Sequence, residues 1–317
     1  MPLPPLRRAF WAATVLPPLL GMPAGAQSVG GGGAPPVEAT SVRVEGRGTS
    51  PAAYVGFNVW VGAVTAALRA QRRGAPVMRA ALAGAAGGAV TAAGQRLIGV
   101  GPAGLRLAGL QLTAVGANVA RNAGDGVPVF SDVVLPVYPL YLRIRPGAPR
   151  PVRVRVSAMA LRGLVAIVAQ PQNRVRLDVR ESVRAGAPVF RSPLGALALG
   201  RDGPADCADE RCVVGLHFTG AVVYAGGTDP RVSAARGETL RHEAGHLAQF
   251  ARDAVLFGFP ASDRILTAGG RAGRWARGWL AADVALPLLG ADLLSEAVSA
   301  DPDLASLYER EVRAMMR

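Results

Sequence analysis

The stretch that most constrains this chain is Arg241-His242-Glu243-Ala244-Gly245-His246-Leu247. It holds two of the three histidines present, four positions apart. On an α-helix, residues i and i+4 share one face, one turn apart, so a helix here points His242 and His246 the same way. The apolar pattern around them supports a helix that starts between Ser233 and Glu238 and ends near Leu256. Gly245 costs such a helix about 1 kcal/mol against alanine, which implies a packing reason for a missing side chain.

Two neutral imidazoles at this spacing can share one Zn²⁺, with bonds of about 2.0–2.1 Å. Glu243 follows the first histidine directly. From there it can take a proton from a zinc-activated water without itself being a ligand, and pass it to a leaving amine. Catalytic zinc needs a third protein ligand. No histidine follows His246, and Arg252 stands where an H-E-x-x-H-x-x-G-x-x-H pattern would place one. Asp253 lies about 10.5 Å further along a straight helix, too far to share the metal, and is expected to support the helix face. Glu296, among small residues on a later helical stretch, is the leading candidate, with Asp283 and Asp292 behind it and His217 last. Tyr224 and Tyr308 are candidate oxyanion donors.

His242-Glu243-Ala244-Gly245-His246, followed fifty positions later by Glu296, resembles the zincin metallopeptidases of the glutamate-ligand (gluzincin) kind. The segment Glu296-Ala297-Val298-Ser299-Ala300 is similar to the glutamate-x-x-small pattern that supplies their third ligand, although Ala300 and Asp301 fall one place late. The glycine before the second histidine is common in membrane-associated branches of that group. The resemblance runs from Val213 to Leu307 and implies a zinc peptidase acting on a peptide or protein substrate. It also implies an edge strand near Ala221–Ala225 that pairs with extended substrate. The first 200 or so residues carry no such resemblance.

The rest of the chain reads as delivery and support. Residues 1–26 are expected to be a signal peptide: Arg7 and Arg8, then an apolar stretch from Phe10 to Met22, then Ala24-Gly25-Ala26 as a cleavage pattern. An uncleaved anchor is the alternative. Residues 27–51 form a Gly/Pro-rich linker. Cys207 and Cys212, the only cysteines, are expected to pair as a local disulfide in an exported protein, with a metal site as the alternative, although two thiols alone do not complete a tetrahedral shell.

Half of the residues are apolar but only 5% are aromatic. Residues 52–140 concentrate this bias, as in Ala80-Ala81-Leu82-Ala83-Gly84-Ala85-Ala86-Gly87-Gly88, and are expected to form helices in close small-residue contact. Arg79, Arg96, Arg106 and Arg121 are expected to cut this region into pieces shorter than a membrane span, and contact with a membrane surface is a second role open to it. In residues 141–200 the period changes. Val152-Arg153-Val154-Arg155-Val156 and Arg174 to Arg180 alternate, which predicts an antiparallel meander with a dry valine face and a wet arginine face. Gly163 to Ala169 reads as a buried strand between them. Residues 201–317 form the metal-binding region, with a final packing helix marked by Leu304, Leu307, Tyr308, Val312 and Met315.

The fold class expected is therefore α+β: a small-residue helical N-terminal region, an antiparallel β meander, and a zincin-like helical C-terminal region. The formal charge is +13, and all 35 basic residues are arginine. Such a balance suits solubility, anionic surfaces or acidic substrates. Nucleic acid is disfavoured as a partner because no aromatic residues interleave with the arginines. The leading function is an exported zinc-dependent peptidase, in the periplasm, on the outer membrane or released. The alternatives are a non-catalytic zinc-containing envelope or surface-binding protein and, disfavoured by the charges of Arg241, Arg252 and Asp253 beside the motif, an intramembrane-type protease. The sequence sets no oligomeric state.

Overall fold

The computed structural model describes residues 50–168, 174–192, 215–218, 220–225, 230–281 and 307–316. The expected signal peptide, nearly all of the linker, both cysteines, Asp283, Asp292 and Glu296 lie outside the described residues.

Three helices open the described chain. Helix α1 (Pro51–Arg73) begins at Ser50, whose hydroxyl accepts from Ala53 N at 3.1 Å, and ends at Gly74 in the left-handed region. Helix α2 (Val77–Val100) and, after a 3-10 turn at Ala103–Leu105, helix α3 (Arg106–Gly124) pack beside it. The expected small-residue contacts are present. A Cβ on Gly62 would lie 2.2 Å from the Gly84 carbonyl oxygen, and one on Gly88 would lie 2.2 Å from that of Asn58. On the other side of α2, Gly87 and Gly116 meet in the same way. Backbone touches backbone, which supplies the dispersion contact that large side chains usually give. Helices α1 and α2 are 23 and 24 residues long and, by length and composition, apolar enough to cross a membrane. The arginines therefore do not cut the region short of a span as expected: Arg69, Arg72 and Arg73 cluster at the end of α1, and Arg79 and Arg96 lie near the ends of α2.

Strands β1 (Val133–Val137), β2 (Leu140–Ile144) and β3 (Val152–Ser157) form the antiparallel meander, starting earlier than residue 141. Helix α4 (Ala158–Val168) follows, and the run expected as a buried strand at 163–169 falls largely inside it. A short apolar run has no period that separates strand from helix. The alternating run at 174–180 forms only a two-residue strand, β4 (Arg176–Leu177), before Asp178 caps helix α5 (Val179–Ala185) by accepting from Glu181 N at 3.0 Å. Strands β5 (Val189–Ser192), β6 (Gly215–Phe218) and β7 (Ala221–Ala225) complete a second sheet of order β4-β5-β7-β6, in which β5 and β7 run parallel.

The motif lies on helix α6 (Pro230–Asp253). A buried π-helical turn (Ala254–Gly258), helices α7 (Phe259–Ala268) and α8 (Gly270–Ala276), and strand β8 (Leu280–Ala281) follow. Strand β8 adds parallel to β3. Helix α9 (Leu307–Met315) closes the described chain, with Val312 and Met315 buried as its spacing predicts. One core cluster ties the helical bundle, both sheets and α6 together through Tyr138, Tyr141, Val222, Leu247, Phe250 and Phe259. The Tyr141 and Phe259 rings meet edge to face at 4.7 Å.

The faces of β3 do not divide as expected, although Arg153 is exposed and Val156 partly buried. Val152 and Val154 are 54% and 53% exposed, whereas Arg155 is 2% exposed. The cause is α7, which presents Asp263 to Arg155 Nη2 at 2.9 Å and the Phe259 ring to its guanidinium at 5.5 Å. A paired, stacked arginine can be buried where a lone one could not.

Candidate metal centre

His242 and His246 are brought together on α6. Their Nε2 atoms are 3.2 Å apart and their rings stand edge to face, with centroids 4.8 Å apart. Two imidazole nitrogens on one tetrahedral zinc are about 3.3 Å apart, from bonds of about 2.0–2.1 Å. The observed separation is that of a hydrogen bond between the rings and is also compatible with the bite of such an ion.

The protonation of His246 follows from its neighbours. Glu311, on α9, accepts at Oε2 from Gln249 Nε2 at 3.0 Å. A carboxylate accepts only, so the amide nitrogen of Gln249 faces Glu311 and its oxygen faces His246. That oxygen is 2.9 Å from His246 Nδ1. The Nδ1 atom therefore carries a proton, and in the neutral ring Nε2 is the acceptor in its contact with His242 Nε2. This is the tautomer a metal ligand needs.

Glu311 is itself held from two further sides. Its Oε1 accepts from Arg252 Nη1 and, at 3.2 Å, from Asn58 Nδ2 on α1. Arg252 also bonds Asp253 Oδ1 at 2.8 Å and Asn58 Oδ1 at 3.2 Å. All four side chains are buried. Nearby, Tyr54 donates to Gln95 Oε1 at 2.6 Å, and burial together with the Glu311 charge pushes its phenol far above its ordinary pKa. A chain of polar contacts thus runs from His246 through Gln249 and Glu311 to the helical bundle. Asp253 has the supporting role expected of it, fully buried beside Arg252.

Gly245 has the packing reason that its cost implied. A Cβ there would lie 3.0 Å from Val312 Cγ1, and one on Gly99 of α2 would lie 2.2 Å from the Met315 carbonyl oxygen. The two glycines let α9 settle between α6 and α2, which brings Glu311 within reach of Gln249. Glu243, the expected general base, is 3% exposed.

Among the described residues, no group of three histidine, cysteine, aspartate or glutamate side chains converges. The expected third ligand, Glu296, is outside the described residues. Two other expectations change. The hydroxyl of Tyr224, a candidate oxyanion donor, is already engaged: it is buried and donates to Asp178 Oδ2 at 2.7 Å, and burial with that bond raises its pKa to about 12. Strand β7 is not an edge either, since β5 and β6 pair with its two sides, and β6 is the outer strand among those described. Gln249, Glu311 and Asn58 escaped the sequence reading. Gln249 follows His246 by three positions, a spacing that allows contact on one helix face, whereas Glu311 and Asn58 carry no local signal.

No protein-family model, curated protein or solved structure matches this chain.

Proposed function

We propose that this protein is an exported zinc-dependent peptidase, with His242, His246 and Glu296 as metal ligands and Glu243 as general base. The observation that carries this reading is the 3.2 Å approach of the two Nε2 atoms with the His246 tautomer set by Gln249. The donor set fits the ion: two neutral imidazoles and a carboxylate are the ligands of one class of catalytic zinc site. When bound there, zinc supplies Lewis-acid polarisation of a carbonyl and acidifies water.

The chain's own residues do the rest. Gln249 holds the His246 ring in the orientation and tautomer that would present Nε2 to the ion. Glu243 removes the proton of the attacking water and delivers it to the departing amine nitrogen. Strand β6, at the outside of its sheet among the described strands, offers backbone groups to an extended peptide. Export rests on the Arg7-Arg8 segment, the apolar stretch behind it and Ala24-Gly25-Ala26.

The experiment is turnover of an unbiased peptide library by the wild type and by Glu243→Gln. The reading expects zinc to be retained in both and cleavage to fall at least about 100-fold in the variant, the scale of a lost general base. Zinc retained with no cleavage by the wild type would make the site structural, in a non-catalytic envelope protein.

A further inference from the structure

A second charged feature lies apart from the histidine helix. The end of α1, the end of α3, the β1–β2 hairpin and α7 enclose a cleft of about 580 Å³. Seven arginines and three aspartates line it, an excess of four positive charges.

The aspartates are already shared. Asp125 takes Arg69 at 2.7 Å and Arg73 at 3.0 Å. Asp132 takes Arg143 at 2.6 Å, Arg145 at 2.8 Å and Arg121 at 3.6 Å. Asp263 takes Arg143 at 3.1 Å and, from behind, Arg155 at 2.9 Å. Each guanidinium has five N–H donors, which the carboxylates do not exhaust even though Arg69 also donates to the Leu256 carbonyl oxygen at 3.2 Å and Arg121 to Asn122 Oδ1 and the Asp132 carbonyl oxygen. Arg264 is exposed on the rim and has no acidic partner among the described residues, and Arg277 donates to the Thr267 hydroxyl at 2.9 Å.

Holding so many like charges together is costly. Burial pulls Arg121 down to about 10 against the opposing pull of Asp132, and the charges of Arg143 and Arg69 push the same way as burial. An anion in the cleft would relieve that repulsion, and the arginines are already fixed in place by the aspartates. Guanidinium forks converging from several walls match a tetrahedral oxyanion better than a planar carboxylate, which one or two forks satisfy.

We propose that this cleft binds a phosphate-class oxyanion, held by Arg264 and Arg277 at the rim and by Arg69, Arg121 and Arg143 within. The phosphate can come free in solution or as the headgroup of an anionic lipid. The second source has support beside the cleft: Trp275 and Trp279, on either side of Arg277, are 70% and 44% exposed and pack ring against ring at 5.0 Å. Exposed tryptophans next to arginines suit a membrane–water boundary.

The test is calorimetric titration of the full chain with pyrophosphate, paired with flotation on phosphatidylcholine vesicles with and without phosphatidic acid. Both use the wild type, the Arg264→Ala/Arg277→Ala double variant, and Arg162→Ala, an exposed arginine on α4, as control. Circular dichroism confirms that each variant is folded. Pyrophosphate binding that weakens at least about tenfold in the double variant, but not in Arg162→Ala, identifies a free oxyanion as ligand. Flotation that needs phosphatidic acid and is lost in the double variant alone identifies the lipid headgroup. Binding to neither probe, or binding that the double variant leaves intact, overturns the proposal.

Discussion

His246 Nε2 lies 3.2 Å from His242 Nε2, and its Nδ1 is 2.9 Å from an amide oxygen whose orientation is set by Glu311, 62 residues beyond that amide. His246 is therefore aimed by helix α9 as well as by its own helix.

Gln249→Leu removes the acceptor that fixes the His246 tautomer. Zinc affinity is expected to fall about 10–100-fold. Competition with a chromogenic chelator measures it. Glu311→Gln, whose amide can also offer its nitrogen to Gln249 and so turn it, is expected to fall in the same range.

Gly62→Ala puts a Cβ 2.2 Å from a backbone oxygen of α2, which cannot rotate away. Alanine would gain about 1 kcal/mol of helix propensity. Forced separation of two packed helices outweighs it, giving a net loss of about 2 kcal/mol. Urea denaturation followed by circular dichroism reads this directly.

Asp132 is pushed up by burial but pulled down further by hydrogen bonds from Arg143 and Arg145 and by the Arg121 charge, so its carboxyl lies well below the usual range. A depressed folded pKa contributes stability that is present above the unfolded value of 3.8 and is lost as pH falls towards the folded value. Asp132→Asn is therefore expected to cost about 2–3 kcal/mol at pH 7. The gap to wild type should narrow below about pH 4. Thermal unfolding across that range tests the sign.

Tyr224→Phe deletes a hydroxyl that serves Asp178 and the second sheet. Stability should drop by about 1 kcal/mol, with peptide turnover unchanged. A large loss of turnover at unchanged stability would return Tyr224 to the reaction.

Much of this arrangement was legible in the sequence because its signals are local. The pairing of His242 with His246, the small-residue packing of residues 52–124, and the amphipathic face of α9 each follow from spacing within one element. The misreadings are tertiary. Val152 to Val156 alternates faithfully, but which face is buried depended on Asp263 and Phe259, more than a hundred residues later. Gly163 to Val168 is apolar throughout, so no period separated strand from helix, and it lies in a helix. Glu311 reads as an ordinary helix carboxylate until α9 is docked through Gly245 and Gly99.

The most direct measurement is the metal content of the purified full chain by plasma mass spectrometry, after zinc loading and exhaustive dialysis. The account predicts one zinc per chain, retained in Glu243→Gln and lost in His242→Ala and in His246→Ala. A folded wild type without stoichiometric zinc, or zinc that persists in both histidine variants, would contradict it.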